Sequence, residues 1–452
     1  MESIKILDLL IPDYTEKFLS GQFGSEEMPL LKAIGNLFED EIKTVDLQNV
    51  YIVACQHLLL PQLEMFKLFV KLGFVPSQIF ILPKIYSANE SIFSELKNLG
   101  CTMFEEALTF QPSQAFDDFH SNQCKNVVTY VSKNVSREAK LIILDDGGML
   151  LKSFAEQQVA SSFKGGVYGV EQTASGKNIL LKQKLPFIVT SVASSIEKIT
   201  IETNYIIRHC MVRIEQYFSE KRIQKSVKIL VLGKGPIGKT LISELAKNGY
   251  SCDGYDITER NCKVFFRKYD VIVGATGNNS LTTKQLDQLK EGTHLISVSS
   301  SDREFPSIHI RNNSMLGVNV HDTFIYNKNN IHLVNGGFPI TFKGNRIECF
   351  PLEMDVTKMK LTEAVLLHVL SKIEVSTSVN DLYGESKLVS SVSFLKLWVI
   401  LFCSFLLLKI FHYGLVAVPP LWIQFVLLLF FLLGSIPALW HIMYHKRVES
   451  FL

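Results

Sequence analysis

Lys198 and Glu202 stand four residues apart in residues 196–218, whose pattern predicts a long helix, so both side chains share one helical face. Three other places in the first half set polar groups at the ends of apolar runs: Cys55-Gln56-His57, Asp145-Asp146-Gly147-Gly148, and Glu171-Gln172-Thr173-Ala174-Ser175-Gly176. Strand ends are where the ligands of open α/β sheets collect. Each place also has a plainer meaning. A Lys–Glu pair is commonly a solvated surface pair, a lone histidine a satisfied structural one, and Asp-Asp before two glycines a turn.

Residues 229–240, ILVLGKGPIGKT, join a short apolar run to a glycine-rich turn and a helical pattern. Gly233, Gly235 and Gly238 fit G-x-G-x-x-G. There the first two glycines allow a tight turn and close backbone approach, and the third lets helix and strand pack, so that a pyrophosphate sits on the helix N-terminus. The same letters satisfy G-x-x-x-x-G-K-[ST], the phosphate loop of ATP-binding proteins. The next apolar run, residues 252–255, ends on Asp256, eighteen residues after Gly238, where a dinucleotide site wants an acid for the ribose hydroxyls. A phosphate-loop enzyme should carry a later strand ending in a magnesium-binding Asp. Residues 271–273 have their Asp in front, at Asp270, and residues 294–298 run into serines. The turn therefore predicts a dinucleotide site, and the acid at 256 favours NAD over NADP.

The elements that must position these residues alternate. Apolar runs at 50–54, 78–82, 127–131 and 141–144 interleave with helical patterns at 62–72 and 91–99, and strands alternating with helices imply parallel βαβ units. The alternation restarts near residue 227 through residues 271–273, 294–298 and 331–334, and residues 353–373 read as a helix packing back on the soluble body.

Order and spacing across residues 50–341 resemble the S-adenosylhomocysteine hydrolase family. Its LDDGG signature stands at residues 144–148, its E-E-T-T-T-G loop is similar to EQTASG at 171–176, and its K-x-x-x-D helix resembles Lys198 to Glu202. Its G-x-G-x-x-G-K turn is residues 233–239, and its T-T-T-G resembles GATG at 274–277. In that family a tightly held NAD oxidises the ribose 3′-hydroxyl, a thiol leaves by elimination, water adds, and the hydride returns. The resemblance implies a catalytic Lys198 with Glu202, proton shuttling by His57 and Asp146, and substrate contacts from Glu171, Gln172 and Thr173. It implies cofactor contacts from Gly233, Gly235, Pro236, Ile237, Gly238, Asp256, Thr276, Gly277, Asn278, Ser297 and Thr341, no metal, and self-association. The substrate would be adenosine or a compound like S-adenosylhomocysteine.

The chain departs from that pattern at several chemical positions. Gln172 replaces the family's substrate-gripping acid, Glu202 its Asp, Thr203 the Asn after it, and Ile207 a cysteine. SVSS at residues 297–300 replaces N-I-G-H, leaving Ser300 where a histidine belongs. The family's Gly-His-Pro loop and its Lys/Tyr tail are missing. These departures set an alternative beside the enzyme: a catalytically degenerate NAD- or adenosine-binding regulatory module. A 2-hydroxy-acid or amino-acid dehydrogenase is a third reading. It would want a catalytic His or Lys in the second half, where His294, His309, His321 and His332 sit in no recognised motif.

A length of 452 residues implies two or three domains, and a net charge of +2 leaves no nucleic-acid footprint. Eight cysteines without a C-x-x-C pair suit a reducing compartment. The acidic start, broken by Pro12, is no signal peptide. Residues 421–440 carry no charge over twenty positions, and residues 397–418 are interrupted only by Lys409 and His412, with Pro419-Pro420 between the two runs. That reads as a two-helix hairpin in a lipid bilayer. Lys396, His441, His445, Lys446 and Arg447 flank it, so both ends and the soluble body are expected in the cytoplasm. The expected class is α/β: a substrate-type Rossmann-like domain (1–222), a Rossmann NAD domain (223–350), a return helix and polar linker (351–392), a transmembrane hairpin (393–442) and a basic tail (443–452).

Overall fold

The computed structural model describes residues 28–259, 265–314, 316–345 and 351–370. The expected hairpin, the tail and the polar linker lie outside the described residues. Among the described residues no helix is long and apolar enough to cross a membrane.

Two six-stranded sheets organise the described residues. The first contains β1 (Val50–Leu58), β2 (Ile79–Ala88), β3 (Thr102–Met103), β4 (Lys140–Asp145), β5 (Val167–Glu171) and β6 (Ile188–Ser191). Their order is β3-β2-β1-β4-β5-β6 and every pairing is parallel. β1 and β4 are buried nearly throughout, as expected of parallel strands covered on both faces. The helices Pro29–Ile42, Leu60–Lys71 and Pro351–Val369 cover one face, and Phe116–Asn134 and Met149–Glu156 the other.

The second sheet contains β7 (Lys228–Leu232), β8 (Ser251–Tyr255), β9 (Val271–Gly274), β10 (His294–Ser297), β11 (Phe324–Tyr326) and β12 (Ile331–Leu333), in the order β11-β12-β10-β9-β7-β8. Here β11 runs antiparallel to β12, and the other pairings are parallel. The 25-residue helix Ile196–Glu220 leads from one sheet into the other. Pro351–Val369 then returns to the first domain. Its buried Asp355 accepts from the backbone N–H groups of Leu30 and Leu31 at 2.8 Å each, capping the helix Pro29–Ile42 from across the chain.

One expected strand is a helix. Residues 127–131 belong to Phe116–Asn134, whose buried Phe116, His120, Cys124, Val127, Val128 and Val131 recur at helical spacing. The apolar run is the C-terminal part of that stripe, and a short run alone does not distinguish the two periods.

In both sheets the chain reverses its direction of growth beside the first strand, between β1 and β4 and between β7 and β9. Such switch points open a crevice beyond the strand ends. Around these ends the two domains meet through an aromatic cluster of Tyr86, Phe110, Phe116 and Phe338. Buried Arg311 ties them further: it donates to the carbonyls of Pro112, Gln114 and Gly336 and pairs with Asp302 at 2.7 Å.

Candidate functional site

His57 comes from the end of β1, Lys84 and Ser87 from β2, Asp146 follows β4, and Gln172 follows β5. Asp146 is the hub. Its Oδ1 accepts from Lys84 Nζ at 2.5 Å, and its Oδ2 faces His57 Nε2 at 3.3 Å and accepts from Gln172 Nε2. The backbone carbonyl of Gln172 accepts from Lys198 Nζ. A continuous polar chain thus joins His57, Asp146, Gln172 and Lys198 at the switch point of the first sheet. His57 Nε2 thus faces the Asp146 carboxylate, and its Nδ1 lies 2.5 Å from Ser87 Oγ, which also donates to the Lys84 carbonyl at 3.2 Å. Phe342, from the segment after β12, stacks on the His57 ring at 5.0 Å, so the second domain closes over this site.

Burial sets the protonation states. It pushes His57 down to about 3; the Asp146 charge opposes this, and Lys84 and Lys358 add to the lowering. Burial also works against the Asp146 carboxylate, but the charges of Lys84 and His57 outweigh it and hold Asp146 below the usual range. Lys84 is raised because the Asp146 attraction overrides its own burial. At neutral pH the hub is an ammonium–carboxylate pair with a neutral imidazole beside it.

Glu171 and Thr173, expected to touch substrate, also hold their own loop together. Glu171, expected to hold substrate, is fully buried, and its Oε1 accepts from Gly147 N–H, Thr173 N–H and Thr173 Oγ1 at 3.2, 2.7 and 2.6 Å. Burial pushes its carboxyl up to about 7 against those hydrogen bonds. Thr173 caps the helix Ala174–Leu180 through Gly176 N–H. Both residues therefore shape the loop that presents Gln172, while Glu171 Oε2 is buried without a hydrogen-bond partner. Glu202 lies on the helix Ile196–Glu220, and its side chain lies outside the described residues.

The glycine turn follows β7 as expected, and its glycines have separate tasks. Gly233 has φ +97°, and a Cβ on Gly238 would meet the Gly233 carbonyl at 1.9 Å, so both serve the turn itself. A Cβ on Gly235 would meet nothing within 4 Å: the backbone there is open for a ligand's close approach. The helix Pro236–Lys247 starts directly after, with Pro236 and Ile237 in its first turn. Asp256 Oδ2 accepts from Lys234 N–H at 2.8 Å, and Oδ1 from Thr258 N–H and Oγ1 at 3.1 and 2.8 Å. The Lys234 and Thr258 bonds hold Asp256 below the usual carboxylate range. This cradle fits the diphosphate and ribose of a dinucleotide.

The loop after β9 is braced from within by an acid. Buried Glu304 accepts from Thr276 N–H at 3.1 Å, Thr276 Oγ1 at 2.8 Å and Gly277 N–H at 2.9 Å. A Cβ on Gly274 would collide with the Glu304 side chain at 2.2 Å. The N–H groups of Thr276 and Gly277 are already occupied, so this loop offers an open surface at Gly277 and the exposed Asn278 instead of anion-binding donors. Ser297 is buried and closes a turn with the Ser299 backbone, and Thr341 is half-buried in the 3-10 segment Ile340–Asn345. Ser300 is exposed.

Sequence reasoning missed Lys84, Ser87, Glu304, Arg311 and Phe342. For Lys84 a signal existed: a lysine set in the middle of an otherwise apolar run. Among the described residues no group of three or more His, Cys, Asp or Glu side chains can hold a metal ion.

No protein-family model matches this sequence. Two uncharacterized proteins from two strains of Mycobacterium tuberculosis are each 29% identical over 333 residues, which is 71% of this chain and 64% of theirs. The chain thus spans less than two thirds of the length of these curated relatives. Among solved structures, a dipicolinate synthase from Bacillus halodurans aligns with 72% of this chain and 99% of its own, at 11% identity and a TM-score of 0.39. A D-isomer specific 2-hydroxyacid dehydrogenase family protein from Aeromonas salmonicida aligns with 71% and 95%, at 11% identity and a TM-score of 0.32. Likenesses of this depth do not say what this chain acts on.

Proposed function

We propose that this chain binds NAD in the turn 233–238 and oxidises a secondary alcohol of a nucleoside-like substrate in the crevice between its two domains. One observation carries the reading: His57, Asp146, Gln172 and Lys198, far apart in sequence, join into one polar chain at the switch point of the first sheet. Bound in the turn, NAD would supply the hydride acceptor. Lys198 is the base for the alcohol proton, held at the crevice by the Gln172 carbonyl. Asp146, fixed as an anion by Lys84, orients His57, whose neutral ring lies against Ser87. Phe342 and Tyr86 shield that ring from water.

The finer reading, a divergent relative of S-adenosylhomocysteine hydrolase, is supported by LDDGG at 144–148 and EQTASG at 171–176. Tethering to a membrane through residues 397–440, with the soluble body in the cytoplasm, belongs to the same proposal and is supported by the charge-free run 421–440. A second reading, a regulatory module that binds NAD or adenosine without turnover, is favoured by one contact. The Gln172 amide occupies Asp146 Oδ2, where the related family has an acid facing its substrate.

The test uses the full chain. NAD released on denaturation is identified by mass spectrometry, and the NADH absorbance band is followed with adenosine or S-adenosylhomocysteine. The enzyme reading expects reduction in the native chain and none in Lys198→Met with NAD still bound. Bound NAD that no alcohol reduces sinks it in favour of the module.

A further inference from the structure

Lys234 occupies the middle of the G-x-G turn, and its side chain has a defined course. Its N–H is drawn to Asp256, at the end of β8. Its stem runs over Gly254, where a Cβ would lie 3.0 Å from Lys234 Cε, so a side chain at 254 would crowd it. Its ammonium ends 2.5 Å from Glu259 Oε1. The end of this strand is where the adenosine ribose of a bound dinucleotide lies. One ammonium and two carboxylates, Lys234, Asp256 and Glu259, therefore meet at the ribose, and they sum to one negative charge.

Resting on the dinucleotide reading above, we propose that Glu259 sets the choice of cofactor by neutralising Lys234. A ribose 2′-hydroxyl can donate to Asp256 and is indifferent to the pair. A 2′-phosphate brings about −1.5 to −2 charges. It meets the Asp256 anion, and the Lys234 ammonium beside it is already held by Glu259. Without the Glu259 charge, a lysine swing delivers an ammonium to the phosphate while leaving the 2′-hydroxyl contacts intact. The pair is a latent 2′-phosphate site kept closed by one acid.

Titration of the full chain with NADH and NADPH, read by nicotinamide fluorescence, needs no turnover. The native chain should bind NADH about ten-fold more tightly than NADPH. Glu259→Gln should tighten NADPH about five-fold or more while leaving NADH within about two-fold. Adding Lys234→Met to Glu259→Gln should erase the gain, which separates Lys234 from other basic groups. Retained NADH binding with an unchanged NADPH ratio in Glu259→Gln overturns the inference alone, as does a gain that survives Lys234→Met. A native chain that binds neither dinucleotide overturns the dinucleotide reading as well.

Discussion

Lys84 Nζ lies 2.5 Å from Asp146 Oδ1, with only 5% and 3% of the two side chains exposed. The ion pair crosses from the middle of β2 to the end of β4, over β1 between them. It has a consequence for chemistry. An Asp146 fixed as an anion is an acceptor and an orienting group, so under the proposed reading proton transfer falls to His57 and Lys198.

Breaking the pair should therefore be read in two ways. Lys84→Met leaves a buried carboxylate without its counter-ion, which costs about 3–5 kcal/mol of stability. It also removes a positive charge that lowers His57 and leaves the anion that raises it. The His57 pKa should rise from its depressed value, measured by NMR of the ring protons. Lys84→Met/Asp146→Asn should recover much of the lost stability in urea unfolding. A double variant no more stable than Lys84→Met would mean the pair is not the main structural role of Lys84.

Gly235→Val should abolish bound NAD with little effect on folding. Gly235 has φ −65° and ψ −176°, which any residue adopts, and its Cβ would meet no protein atom. The fold should lose no more than about 1 kcal/mol, the scale of a helix N-cap change. Mass spectrometry of released cofactor and a urea midpoint check both halves. Gly238→Ala should instead damage the fold, because its Cβ meets the Gly233 carbonyl at 1.9 Å.

Glu171→Gln should change how stability depends on pH. Burial raises the Glu171 carboxyl to about 7 in the folded chain, against a usual value near 4.5. The fold thus favours the protonated form, and this contribution is present below about 4.5 and lost as pH rises through about 7. A neutral amide removes that loss. Relative to the native chain, Glu171→Gln should gain stability steadily between pH 5 and pH 8 (urea midpoints at about four values suffice). A constant difference across that range would show that Glu171 does not titrate there.

The glycine turn and its acid were legible because they are local: Gly233, Gly235 and Gly238 are a backbone instruction written within six residues. The strand–helix alternation was legible for the same reason, except where residues 127–131 were too short a run to reveal their period. The membrane hairpin was read from composition alone, and it falls outside the described residues. His57, Asp146, Gln172 and Lys198 stood out in the sequence as polar groups at strand ends and on a helix face, and resemblance to a family supplied their expected roles.

The sequence by itself determined two α/β halves, a glycine turn shaped for a dinucleotide, and a set of polar strand ends. Only the tertiary structure decided what those polar groups are. It made Asp146 a permanent anion by bringing Lys84 from 62 positions away, and it filled the Thr276 loop with Glu304 from 28 positions away. It also gave Glu171 three donors from its own loop and made Thr173 the cap of the helix that follows. Backbone conformation is set mostly by near neighbours, whereas the charge state of a buried group depends on whichever partners the fold places within a few ångströms.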